Sequence, residues 1–430
     1  MESVVDRCRF PEGRHGPDIT RRPITPFPSN PIYMNQNAMK NVCRRNFLLL
    51  SGLAYLLAAS TVQAADLPPE VEAASEKVRK SIPLGGDFQP KPERPAFVAV
   101  GHGARVLLST DDGQTWTESF YGFPGSDHSA WAVRSVAIDG GLIVVPIGWY
   151  GPSSCIASED GTNWRHLTDG KTPLGDKKDL SVMPPLWGGE LGGGTFVGAG
   201  YMQIASTPDL GKTWFQSSLR SLGKNDPAGR KLSTHHVTPV YCGDATGRFI
   251  AIGNDRSKEN PNFGNLFATD DQGKTWTWLQ PTLLNEKCEG YSGLESNGDV
   301  LVLLDKAGAN AFVSSDAGDS WEGPFPTGAD GGRRATLSLV DDEFWVTGRG
   351  LTAHSSADGK TWQKRPDAVP ASKLAGSPEG TLIAIQDQSI LRSTDGGETW
   401  NEVYSYEIPA SSPIQKAQGL RELTFGTISQ

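Results

Sequence analysis

The sequence predicts an all-β fold, a seven-bladed β-propeller of four-stranded blades, and three observations carry that prediction. The 430 residues include 50 Gly and 30 Pro, so turns are frequent and long helices few. One octapeptide ending in Trp recurs seven times between Ser109 and Trp400. Two short β-branched or apolar runs precede each copy and a Trp-led run follows it, which makes a four-strand unit of roughly 40 to 50 residues. Sheets of that size cannot bury both faces alone, and they close into a ring when stacked radially.

The octapeptide reads Ser109 to Trp116, Thr207 to Trp214, Thr269 to Trp276, Ser314 to Trp321 and Ser393 to Trp400, with Asp111, Asp209, Asp271, Asp316 and Asp395 at the third position. Two copies are degenerate. Ala157 to Trp164 has Glu159 at the third position, and Ser355 to Trp362 has Ala357 there with the carboxylate displaced to Asp358. The pattern describes a tight hairpin in which Asp accepts backbone N–H groups, Gly takes a positive φ, Thr adds a second local bond and Trp packs inward.

This S/T-x-D-x-G-x-T-W pattern resembles the Asp-box, or BNR repeat, of the sialidase-like β-propellers, over residues 95–430. The chain is also similar to the photosystem II assembly-factor propellers, which share the repeat type and the seven blades. The resemblance implies that the boxes are structural. It places them between third and fourth strands, on the face opposite the binding site.

The strands follow in order. The first unit has Phe97–Gly101, Arg105–Ser109 and Thr115–Ser119 as its second to fourth strands and lacks an innermost one, because residues 66–94 hold Pro, Lys and Glu there. Leu420–Thr427 is a strand-like run left over after the seventh box, and it is expected to complete the first blade. The sixth unit reads Ala335–Val340, Glu343–Thr347, Leu351–Ser355 and Trp362–Lys364. The seventh reads Lys373–Ser377, Thr381–Ile385, Ile390–Thr394 and Trp400–Tyr404.

Ahead of the ring, Arg44-Arg45-Asn46-Phe47-Leu48, an apolar run to Ala59 and the small-residue site Val62-Gln63-Ala64-Ala65 form a twin-arginine-type signal peptide, residues 34–64. Its interrupted apolar run is shorter than the ~20 residues that span a bilayer, so no membrane span is expected in the mature chain. About 40 residues precede the arginine pair where a signal has only a few, so Met34 or Met39 is the expected initiator and residues 1–33 are not expected to be translated. Residues 65–94 are an N-terminal extension. The product is expected in the periplasm or secreted, as a monomer.

The chain carries 40 basic against 49 acidic residues, a net charge of −9, and the part after residue 64 carries 32 against 45. That balance argues against a nucleic-acid partner, since gripping phosphates needs Lys and Arg in excess. Cys155, Cys242 and Cys288 are an odd number, so no disulfide framework holds the exported part. No H-E-x-x-H, C-x-x-C or Walker loop is present, and Gly188–Gly194 lacks the strand-to-helix context of a phosphate site, so no metal or cofactor is expected.

Function is sought on the loops entering first strands and joining second to third strands. The former carry Asp127, His128, Trp131 and Arg134, then His235 and His236, Glu289 and Tyr291, and Arg333 and Arg334. The latter carry His102, Trp149 and Tyr150, Tyr201, Asp255 and Arg256, Lys306 and Arg349. Four of the seven histidines would then converge on one mouth. His128, Trp131 and His236 serve equally well as plugs between blades, Arg333 and Arg334 as solvated charges, and Trp149-Tyr150 as a platform on which a sugar ring stacks.

Three classes stay open. A sialidase needs an arginine clamp, a Tyr nucleophile with a Glu partner and an acid, which Arg134, Arg333 or Arg334, Arg349, Tyr291 with Glu289, and Asp127 would supply. Against it, the F/Y-R-I-P motif is missing ahead of the first box, and that family has six blades. A polysaccharide lyase would use His128 or His236 as base on an acidic sugar. The third class is a binding module for a glycan or a periplasmic protein, such as an assembly factor docking on a complex. The acidic chain shows no basic docking patch, and catalysis stays undecided.

Overall fold

A computed structural model describes residues 69–122, 133–148, 154–170, 183, 186–200, 202–223, 232, 234–255, 264–329, 335–348, 351–365, 373–407 and 419–430. Seven four-stranded antiparallel sheets form the blades of a propeller. Counted from the channel outward, blade 1 is Leu420–Ile428, Arg94–Gly101, Arg105–Ser109 and Thr117–Tyr121, so the C-terminal strand does supply the missing inner position. The closing register runs from Arg94↔Ile428 to Gly101↔Leu420. The sixth blade has Thr336–Val340, Glu343–Thr347, His354–Ser356 and Gln363–Lys364. The seventh has Lys373–Gly376, Leu382–Gln386, Ser389–Ser393 and Asn401–Ser405.

Second strands read as unbroken apolar runs because each is sandwiched between two neighbouring blades. In blade 1, Val98 and Val100 pack with Ile143 and Val145 of blade 2, while Phe97 and Ala99 pack with Ile383 and Ile385 of blade 7. Alternate side chains point to opposite faces of a strand, so both faces here are core. Fourth strands such as Asn401–Ser405 have an exposed flank and are mostly polar.

Each box tryptophan plugs the seam with the preceding blade. Trp116 joins the core between blades 7 and 1, Trp164 that between 1 and 2, and Trp214, Trp276, Trp321, Trp362 and Trp400 repeat this around the ring. In the first box Ser109 Oγ donates to Asp111 Oδ1 at 2.8 Å, Asp111 accepts the Thr115 N–H at 2.9 Å, and Gly113 N–H donates to Ser109 Oγ at 3.0 Å. Burial would raise the Asp111 carboxyl, but the bonds from Thr115 and Ser109 together hold it below its ordinary value. Gly113 has a φ of +77°, and a Cβ there would lie 2.3 Å from Ile383 of blade 7, so conformation and close approach both demand glycine.

The two degenerate boxes are one residue shorter, with the carboxylate one position later. In blade 2 that carboxylate is Asp160: Ser158 Oγ, Thr162 N and Asn163 N all donate to its Oδ1. Asp358 does the same for Ser356 Oγ, Lys360 N and Thr361 N. Glu159 is therefore not a box carboxylate. It is released to accept a hydrogen bond from the backbone N–H of Gln89.

That contact belongs to an N-terminal strap. Helix α1 (Pro69–Ser81) lays Ala74 and Val78, one turn apart, against the core between blades 1 and 2. His166, buried in the outer strand of blade 2, approaches the Arg79 carbonyl through Nε2 at 3.1 Å, and Arg79 Nε donates to the Asp169 carbonyl at 2.8 Å. Leu84 then bridges His166 in parallel, adding the strap to the sheet edge. Composition alone did not reveal this helix, because only its docked face is apolar.

Candidate functional site

Connections into first strands and between second and third strands lie on the end away from the boxes, as strand direction requires in an antiparallel blade. His102 opens a one-turn 3₁₀ segment, His102–Ala104, between the second and third strands of blade 1. It is 1% exposed, its Nδ1 lies 3.3 Å from the Gly419 carbonyl, and burial, then Arg421, lowers its pKa to about 4. Arg134 is half-buried nearby and adds to that lowering.

Tyr291 starts the inner strand of blade 5 with its ring in the core between blades 4 and 5, 4% exposed. Its backbone exchanges two hydrogen bonds with the Asn254 side chain, and burial raises its phenol pKa. Glu289 is exposed. A nucleophilic phenol needs its proton loosened, and burial does the opposite. Asp127, His128, Trp131, Trp149, Tyr150, Tyr201, Arg256, Arg333, Arg334 and Arg349 lie outside the described residues, as do the side chains of His235, His236 and Asp255.

A site that the sequence reading missed is the channel itself. Six of the seven inner strands line a cavity of about 470 Å³, joined by Ser135 and Val136 just ahead of the inner strand of blade 2 and by Asp341, Asp342 and Pro378 from turns between first and second strands. The cavity therefore reaches toward the box-bearing end. Its charged groups come from different blades: Glu190 from blade 3, Glu295 from blade 5, Lys373 from blade 7 and Glu422 from the closing strand. Lys373 Nζ is 3.1 Å from Glu422 Oε1 and 3.8 Å from Glu295 Oε1.

Removal from bulk water pushes Glu295 up to about 7, with Lys373 opposing and Glu422 assisting. The same removal, then the carboxylates of Glu295, Asp139 and Glu422, hold the Glu190 proton well above the usual carboxylate range. Burial would lower Lys373, but Glu422 and Glu295 outweigh it and raise the amine. Tyr241 and Phe425 also belong to the lining, with their rings packed on Phe249 and Phe97. The missed signal is a lone carboxylate inside an otherwise uncharged inner strand, as in Leu186–Gly192 and Tyr291–Ser296.

Among the described residues, no group of three or more His, Cys, Asp or Glu is arranged to hold a metal ion, and no helix is long and apolar enough to cross a membrane. Cys155, Cys242 and Cys288 are buried free thiols.

The chain is similar to several known proteins. Residues 285–421, blades 5 to 7, match the DUF6242 beta propeller domain. A xyloglucanase of Hypocrea jecorina (strain QM6a) is 23% identical over 383 residues, covering 78% of this chain. The chain spans 41% of that enzyme's length. Among solved structures, YCF48 bound to a D1 peptide has 17% identity and a TM-score of 0.45, covering 77% of this chain and 99% of that one. The periplasmic gluconolactonase of Pseudomonas aeruginosa has 11% identity and a TM-score of 0.48, covering 78% and 99%.

Proposed function

We propose that this protein is an exported Asp-box propeller of the sialidase-like type that binds a neutral glycan in its channel mouth. The observation that carries the reading is the cavity of about 470 Å³ walled by Glu190, Glu295, Glu422, Lys373, Asp341 and Asp342. Carboxyl groups and an ammonium accept from and donate to sugar hydroxyls. Likeness to a xyloglucanase supports a neutral polysaccharide. An acidic sugar, as a sialidase or uronate lyase would require, meets like charges: two carboxylates about 4 Å apart repel by about 4 kcal/mol at an effective dielectric of about 20.

Titration calorimetry tests this reading with xyloglucan and cellulose oligosaccharides against sialyllactose and oligogalacturonate. The neutral sugars are expected to bind with Kd between roughly 10 μM and 1 mM, and the acidic ones not at all. Glu422→Gln is expected to weaken the neutral sugars about tenfold or more, the loss of a charge-assisted bond. Heat from none of the neutral glycans, or tighter binding of the uronate, would refute it.

The reading includes export through the twin-arginine route with residues 34–64 as leader, a stretch outside the described residues. Replacing Arg44 and Arg45 by Lys is expected to retain the chain in the cytoplasm while the unchanged chain fractionates with the periplasm. Equal distribution of both would count against the route.

A further inference from the structure

Among the described residues, one cation serves the channel wall. Among the described lining residues Lys373 is the sole Lys or Arg, and its two ion pairs take in Glu422 and Glu295 but not Glu190. Lys373, Glu295 and Glu422 keep 23%, 27% and 22% of their side-chain surface, so water reaches them through the channel without fully solvating them. Among the described lining residues the remaining walls add no compensating cation. Blade 6 contributes Asp341 and Asp342, blade 4 contributes Tyr241, whose hydroxyl donates to Asp244 at 2.8 Å, and the Asp139 carboxylate of blade 2, outside that lining, adds to the negative charge Glu190 feels. With every carboxylate ionised, like charges would face one another across a ring whose only covalent continuity ends at the closing strand.

We propose that the channel is a proton-linked clasp: Glu190 and Glu295 hold protons while the ring is closed, and losing them drives apart the inner strands of blades 3, 5 and 1. The closing strand is the element free to yield, because it joins blade 1 by hydrogen bonds to Arg94–Gly101 and lies about 320 residues from that partner in sequence. Glu422, on that strand, feels both the pull of Lys373 and the push of Glu295.

The sign is the reverse of the common carboxylate case. Glu295 titrates near 7 in the folded chain, above its usual range, and Glu190 is displaced the same way. The folded state therefore binds more protons than the unfolded one over this interval, and stability falls as pH rises through it. His102 and His166 are lowered, so their contribution changes at more acid pH, between the folded value and about 6.5. A window from pH 6.5 to 8.5 thus reads the channel carboxyls. Lys373, raised, keeps its charge throughout.

The experiment compares thermal melting and amide hydrogen exchange of the full chain at pH 6.5 and 8.5, without sugar. The melting temperature is expected to fall by at least about 2 °C over the window, with exchange corrected for pH accelerating at Val98 to Val100 and Leu423 to Phe425. The Glu190→Gln/Glu295→Gln double variant, which keeps shape and removes the titration, is expected to melt higher than the unchanged chain at pH 8.5 and to show a flat profile. A flat profile in the unchanged chain overturns the clasp, and so does an equal slope in the variant. A melting shift with unaltered exchange at the closing strand overturns it too. No glycan enters either measurement, so failure here leaves the glycan reading standing, and silence in calorimetry leaves the clasp standing.

Discussion

Truncating the chain after Ala417 is expected to lower the melting temperature by more than about 10 °C. The removed strand, Leu420–Ile428, pairs along the whole of Arg94–Gly101. Leu420 and Leu423 are buried in the core with blade 7, and Ile428 is buried in the core with blade 2. Phe425 lies 4.8 Å from Phe97, centroid to centroid. Fully burying an aliphatic side chain of this size contributes about 1.5 to 3 kcal/mol, so Leu420, Leu423 and Ile428 supply at least about 4.5 kcal/mol and the half-buried Phe425 adds to it. That is comparable with the net stability of a whole domain, about 5 to 15 kcal/mol. The loss also leaves the ladder edge of Arg94–Gly101 facing the channel unpaired. Adding the missing strand as a peptide is expected to restore part of the melting temperature. An unchanged melting curve for the truncated chain would mean that the ring does not depend on this closure.

Trp321→Ala is the second large effect, expected to cost about 3 to 5 kcal/mol in denaturant unfolding. Trp321 is 8% exposed in the core shared by Ile250, Leu284, Leu301 and Phe312, and its Nε1 donates to the Gly318 carbonyl at 3.1 Å. Alanine leaves a cavity between two blades that packed strands cannot collapse to fill. Trp400 makes the same bond to Gly397 at 3.0 Å but is only half-buried at the edge of the core between blades 6 and 7. Trp400→Ala is therefore expected to cost less. Equal losses at the two positions would show that the seams are not sealed by tryptophan burial, and that the box acts through its hairpin alone.

The seam-plugging role also connects stability to the channel. Each blade holds its neighbours through one interblade core, so a weakened seam anywhere loosens the geometry that brings Glu190, Glu295, Lys373 and Glu422 around one axis. Binding measurements on the tryptophan variants should accordingly be read only under conditions where the ring is fully folded.

Local chemistry made much of the fold legible in the sequence. The blade count and the box hairpins followed from short segments whose hydrogen bonds are made within eight residues, such as Ser109, Asp111, Gly113 and Thr115, and the closing strand was legible as the strand-like run left over beside a first blade without an inner strand. Such bonds are encoded by spacing, and spacing survives reading one residue at a time. The shortened boxes at Asp160 and Asp358 show the limit, since one deleted residue moved the carboxylate and freed Glu159 for the strap.

The site was far less legible. Its candidates were chosen by loop position, and two of them, His102 and Tyr291, turn out to be packed into the wall. Glu190, Glu295, Lys373 and Glu422 sit in strands of four different blades, each apart from the others by scores of residues, and each looks like an isolated charge in its own segment. Whether such a charge faces the channel, a neighbouring blade or solvent depends on the closure of the ring. So the sequence by itself determined a propeller of seven Trp-sealed blades, because local hydrogen bonds and burial periodicity specify it. Tertiary structure alone decided which charges share the channel, because that proximity exists only once the last strand has paired with the first.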